Sequence, residues 1–213
     1  MGLRKKHRHI SVFIGIGTFI LVAYWYQFSS KPLKQEEIET YMATYQTQAQ
    51  SYMVRHDMAA LRRFLEQDDG LPFYTVNLYK FHNQADYQKG SPYNGSGVRA
   101  YEQFSAAMLK LLAVRASHPI FGSTWSDSAA SDWDRIVIVR YRSRRDIANL
   151  FASDEFALAS EHKWAAIKQN ERLLVQGLHL PDGCMIASLL AIVVALATNL
   201  LLSVVRIRRP TTS

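Results

Sequence analysis

The stretch WDRIVIVRYRSRRDIANLFASDEF, residues 133–156, limits the possible folds more than any other. Ile136 to Val139 is an unbroken β-branched run, the composition of a strand covered on both faces. The basic turn Arg142-Ser143-Arg144-Arg145 ends it. Ser143 or the residues just after it open a helix whose Ile147, Leu150 and Phe151 recur at helical spacing. Strand, tight turn and helix in so short a span make half of a split β-α-β unit.

The rest of the chain supplies the matching pieces. A helix is predicted over about Leu33–Val54, with Ile38, Tyr41, Met42, Tyr45, Ala49, Tyr52 and Met53 on one stripe. Such a tyrosine stripe reads as packing with hydroxyls at the rim. Asp57 is a fitting N-cap for Met58–Gln67. Phe73–Phe81 alternates as a strand, with Thr75, Asn77 and Tyr79 on one face and Tyr74, Val76 and Leu78 on the other. His82–Gly97 is a polar loop, long for a plain connection and suited to a flap over a site. Val98–Ala116 reads as a helix and Pro119–Ser126 as a second strand. After the strand and helix of the opening stretch, Ser153 or Asp154 caps a further helix to about Lys168, and Glu171–Leu178 supplies the last strand.

The order is β-α-β-β-α-β with the second helical region split in two. That pattern predicts an α+β fold, a ferredoxin-like plait over 71–179, preceded by membrane-proximal helices over 33–66. Strands with Val and Ile on both sides need cover on the sheet face away from the helices, and a second copy of the domain provides it. A homodimer through sheet faces is therefore expected.

Charge and hydropathy place this domain. Ile10 to Phe28 carries no charge and is about as long as a bilayer core is thick, with Tyr24, Trp25 and Tyr26 at its far end. Cys184 to Val205 is a second uncharged run. Arg4, Lys5, Lys6 and Arg8 precede the first, and Arg206, Arg208 and Arg209 follow the second. These seven residues account for the whole formal charge of +7, so 31–183 is neutral and nothing global points to nucleic acid. The expected organisation is a basic cytoplasmic segment 1–9, transmembrane helices 10–28 and 184–205, and a basic cytoplasmic tail 206–213. The chain would cross a cell (inner) membrane twice and hold its central domain on the extracytoplasmic side. The single cysteine, Cys184, excludes an intrachain disulfide, and no Cys/His cluster has zinc spacing.

The segments VNLYKF (76–81), SGVRAY (96–101), WDRIVIVRYRS (133–143) and SDEF (153–156), with the helix histidine His162, resemble an uncharacterised family of the dimeric α/β-barrel superfamily. The resemblance covers about 58–178 and implies two sheets packed face to face into a barrel. It implies no particular activity. Haem-degrading monooxygenases of that superfamily use a strand Asn, a Trp and a helix His, and Asn77, Trp133 and His162 have those types. Here Trp133 lies farther from His162 than that motif allows and Trp164 too close, so no cofactor is expected.

The polar residues that interrupt apolar patterns define a candidate site. Leu158, Ala159, Ala165 and Ala166 place His162 on an apolar helix face, directed at the sheet. A cleft lined by Asn77, Tyr79, Tyr101, Trp133, Arg140 and His162 suits a small hydrophobic or anionic ligand. His162 and Asn77 are the catalytic candidates; Tyr79, Tyr101, Trp133 and Arg140 are the binding ones. In the competing reading His162 is a satisfied core histidine, Asn77 pairs with backbone, and Arg140 meets Asp134, Asp146 or Glu161. No nucleophile elbow or phosphate-binding glycine loop is present. The expected function is that of a membrane-anchored module binding a small ligand or a partner. The alternative is a tethered oxidoreductase, monooxygenase or isomerase acting on a hydrophobic or aromatic substrate.

Overall fold

The computed structural model describes residues 2–27, 31–52, 57–124, 131–176 and 189–199, with side chains in the first helix described from Phe13 to Tyr26. Two units are distinct, Met1–Gln176 and Gly177–Ser213. In the first, the elements are α1 (Gly2–Gln27), α2 (Gln35–Ser51), α3 (Met58–Glu66), β1 (Phe73–Phe81), α4 (Gly97–Ala113), β2 (His118–Thr124), β3 (Arg135–Tyr141), α5 (Arg144–Phe151), α6 (Asp154–Ala166) and β4 (Ile167–Val175). In the second, residues 189–199 are helical.

The four strands form one antiparallel sheet in the order β2-β3-β1-β4. Together with the β-α-β-β-α-β succession this is a ferredoxin-like α+β fold. Short side chains start its helices. Asp57 caps α3 by accepting from the Ala60 amide at 2.9 Å, and Ser96 caps α4 by accepting from Arg99 at 3.2 Å. Ser143 caps α5, accepting from the Asp146 amide at 3.1 Å and donating to the Asp146 carboxylate at 2.7 Å. Ser153 opens α6.

Register sorts the sheet into two faces. Thr75, Asn77 and Tyr79 of β1 are opposite Val139, Val137 and Arg135 of β3 and face the helices. The other face has a row that crosses all four strands, Phe121–Ile138–Val76–Leu173. The more polar set on β1 is thus the buried one, and the apolar set is turned outward. Phe121 and Leu173 at the two ends of the row are 49% and 50% exposed.

The first part of the tyrosine stripe of α2 packs as expected. Beyond Tyr45, Ala49 is exposed and Gln48 is buried instead, donating to the Ala152 carbonyl at 3.0 Å, while Met53 lies outside the described residues. Ile38, Met42 and Tyr45 are buried, and hydroxyls tie the helix to α5: Tyr45 donates to the Ala148 carbonyl at 2.9 Å and Tyr41 to Asn149 at 2.6 Å. The Arg145 guanidinium pairs with the Glu37 carboxylate across the same contact. The last strand departs from expectation, running from Ile167 rather than Glu171, because α6 passes into β4 without a loop.

Among the described residues no helix is long and apolar enough to cross a membrane. Of the predicted spans, Phe28, residues 184–188 and residues 200–205 lie outside the described residues, as does the basic tail 206–213. The described part of α1 exposes Phe13, Phe19, Leu21 and Tyr24. Its final turn is held by the domain. Arg142 donates to the Trp25 carbonyl at 3.1 Å and Arg140 to the Tyr26 carbonyl at 3.3 Å. The Arg140 guanidinium also lies 3.9 Å from the centre of the Tyr26 ring, and the Tyr26 hydroxyl meets His118 Nε2 at 2.7 Å.

Candidate functional site

Between the inner sheet face and helices α4, α5 and α6 lies a cavity of about 250 Å³. The sheet supplies Thr75, Asn77, Tyr79, Val137, Val139 and Tyr141 to its floor. Helix α4 adds Tyr101, Phe104 and Met108, α5 adds Ile147 and Phe151, and α6 adds Phe156 and Lys163. Alternation along β1 and β3 and helical spacing along α4 put these side chains on one surface. The lining is largely apolar, with a few polar groups converging in it, the usual make-up of a small-molecule site.

Asn77 organises one end. Its Nδ2 donates to Thr75 Oγ1 at 3.0 Å and to the Val137 carbonyl at 3.2 Å. Its Oδ1 accepts from Arg172 Nε at 3.2 Å, and Arg172 is itself part of the lining. The amide therefore positions an arginine on β4. Nearby, the Tyr79 and Tyr101 rings lie 5.0 Å apart. Burial pushes the hydroxyls of both above their ordinary range and that of Tyr141 up to about 12, so all three stay protonated at neutral pH.

Lys163 is 4% exposed and also lines the cavity. Its Nζ lies 4.6 Å from the Trp164 ring centre and 5.6 Å from that of Phe104. Burial first, and then the positive charge of Arg172, hold its ammonium well below the usual lysine range. Among the described residues no carboxylate lines the cavity. Two basic side chains, buried Lys163 and exposed Arg172, thus line an apolar space with no acidic side chain in its walls among the described residues.

The structure brings together three of the six residues singled out from the sequence: Asn77, Tyr79 and Tyr101. His162 lies elsewhere. Its Nδ1 meets the Tyr87 hydroxyl at 2.8 Å, and the Tyr93 ring packs edge-on at 4.5 Å between centres. It faces the loop over 82–96 instead of the sheet, and partial burial draws its pKa below the ordinary value. That loop folds onto α6 rather than over the cavity, through Tyr87, Ser91 and main-chain bonds from His82 and Asp86 to the carbonyls of Ala166 and Ala165. Arg140 is buried at the outer face of β3, donating to the Ala116 carbonyl as well as gripping Tyr26. Trp133 is partly buried just before β3, its amide donating to Ser131 Oγ at 3.1 Å, and does not line the cavity.

Two of the carboxylates considered as partners for Arg140 form ion pairs with other residues. Asp134 pairs with Lys80 at 3.0 Å and accepts from the Phe81 amide at 2.7 Å, while Asp146 pairs with Arg142 at 2.7 Å. Arg144 donates to the Phe64 carbonyl at 3.0 Å and lies over its ring. The arginine-rich turn is thus tied into the fold. Among the described residues no group of three or more His, Cys, Asp or Glu is arranged to hold a metal.

Solved structures share this architecture. A protein of unknown function from Rhodopseudomonas palustris, RPA0582, superposes with a TM-score of 0.52 at 15% identity, over 61% of this chain and 98% of that one. Its methylated form gives 0.53 at 16% identity, over 62% and 98%. The likeness is one of fold. A dabb family protein with a ferredoxin-like fold from Mesorhizobium loti superposes more loosely, with a TM-score of 0.35 at 8% identity over 53% of this chain and 100% of that one. No family model and no curated protein matches the sequence.

Proposed function

We propose that this chain is a membrane-anchored, dimeric binding module whose ligand occupies the cavity between sheet and helices. The observation that carries the reading is an apolar cavity of about 250 Å³ with Asn77, Tyr79, Tyr101 and Lys163 converging in it. A cavity of 150 Å³ takes benzene, so by proportion this one takes a ligand of about ten non-hydrogen atoms. The tethered-enzyme alternative is weaker, because His162, its proton-transfer candidate, is committed to the 82–96 loop and is not in the lining.

The anchor rests on the uncharged runs 10–28 and 184–205 and the basic residues flanking them. The exposed apolar side chains of α1 accord with it. Both termini would then be cytoplasmic and the domain extracytoplasmic. Dimerisation rests on the outward row of Phe121, Ile138, Val76 and Leu173, an apolar sheet face that a second copy would cover.

Native mass spectrometry of the full chain released from lipid discs tests the reading. The expected result is a dimer retaining a small organic ligand, with retention lost in Ser105→Trp, a substitution that fills the cavity from the α4 side of its lining. A dimer that carries no ligand, and whose melting no small amphiphile shifts differently in Ser105→Trp, would refute it.

A further inference from the structure

The cavity walls are polarised in charge. Lys163 enters from α6, and Arg172, itself exposed, lines the same cavity from β4, close enough for its charge to act on the lysine. The remaining lining is aromatic, aliphatic or neutral and polar. A lysine side chain at 4% exposure is among the most costly groups to bury without a counter-charge. Asn77 adds a second sign of construction: its own hydrogen bonds hold Arg172 Nε, which leaves the terminal nitrogens of that guanidinium as further donors. The geometry is that of a socket for an anion at one end of an apolar chamber.

Resting on the reading of this cavity as a ligand site, we propose that the ligand is an amphipathic monocarboxylate. Its tail occupies the space bounded by Phe104, Met108, Phe151 and Phe156, and its carboxylate lies between Lys163 and Arg172. A guanidinium accepts a carboxylate in a planar fork, and an amine adds a third donor. The tyrosine hydroxyls of Tyr79 and Tyr101 cannot supply a counter-charge, since burial keeps them protonated. The depressed lysine adds a second expectation. A carboxylate beside the amine favours its charged form, so binding raises the lysine pKa and takes up protons wherever the pH lies between its free and bound values.

The test compares hydrocinnamate with its isosteric amide, hydrocinnamamide, by calorimetry on the full chain in lipid discs. The acid is expected to bind roughly ten- to a hundredfold more tightly than the amide. That preference is expected to vanish in Lys163→Met and to shrink in Arg172→Gln. Acid binding to the wild type, measured across a pH series in pairs of buffers of different ionisation enthalpy, is expected to report net proton uptake at some pH in the series. If acid and amide bind equally and no proton is taken up, the carboxylate assignment is overturned while the cavity remains a ligand site. If neither binds, nor any neutral aromatic of that size, the cavity reading falls with it. Selectivity and proton uptake are read on the wild type, so both hold even if a variant fails to fold.

Discussion

Gly97 offers the sharpest check on how the domain is locked. It begins α4, and a methyl group there would meet the backbone carbonyls of His82 and Ala166 (the latter at 2.7 Å) and the His82 amide nitrogen at 2.9 Å. Helix propensity alone favours alanine over glycine by up to about 1 kcal/mol. The opposing contacts are with backbone on both sides of the junction where the 82–96 loop joins α6, and neither side is free to yield. His82 donates to the Ala166 carbonyl at 2.9 Å, and Gly97 donates to the His82 carbonyl at 3.1 Å. Overpacking of this kind costs about 1–3 kcal/mol, and separating two main-chain bonds adds about 1 kcal/mol each. The clash wins. Gly97→Ala is therefore expected to destabilise the domain by about 2–4 kcal/mol. Denaturant unfolding of the full chain in lipid discs measures the loss, and trypsin cleavage after Lys89 should accelerate. A Gly97→Ala protein as stable as the wild type, or more so, would refute the reasoning.

Three further outcomes follow from the charged and hydrogen-bonded groups. Because the folded-state pKa of Lys163 is depressed, the unfolded chain binds more protons between that value and the unfolded one, so stability should rise with pH across that window. Lys163→Met should abolish the rise and be more stable near neutral pH by about 1–3 kcal/mol; chemical denaturation at several pH values checks both. Glu37 is held down to about 2 by Arg145, so its contribution is complete above the unfolded carboxylate value and disappears as pH falls toward 2. The pair is partly exposed, so Glu37→Gln should cost only about 0.5–1 kcal/mol at neutral pH and nothing near pH 2, read from acid unfolding curves. His162→Phe should leave hydrocinnamate affinity unchanged while increasing proteolysis of the 82–96 loop, since the imidazole bonds Tyr87 and does not line the cavity.

The fold was largely legible because its signals are local. The β1 alternation, the β-branched run of β3 and the caps at Asp57, Ser143 and Ser153 each identify an element from its own residues. The site was half legible. Asn77, Tyr79 and Tyr101 stood out as polar positions on strongly patterned elements, and they converge. Lys163 and Arg172 did not stand out. Helix α6 is covered on more than one side, so small residues such as Ala157, Ala159, Ser160, Ala165 and Ala166 are all buried and no single apolar stripe marks its inner face. His162 then looked inward as readily as its neighbour. Following Phe156, Ala159, Lys163 and Ala166 at three- and four-residue steps would have found the lysine. Arg172 lies on an edge strand whose polar composition, IKQNERLLV, hides its start and its register.

The grip on the last turn of α1 couples that helix to the sheet. Arg140 and Arg142 hold the carbonyls of Tyr26 and Trp25, and both arginines extend from the end of β3. Val139 and Tyr141, the immediate neighbours of Arg140, form part of the cavity floor from the opposite side of the same strand. A tilt or twist imposed on α1 is thus one peptide unit away from the cavity. Were α1 set in a bilayer, as proposed above, thickness or tension acting on it would bear on the strand like a hand on a tiller, and the shape of the cavity would change with it.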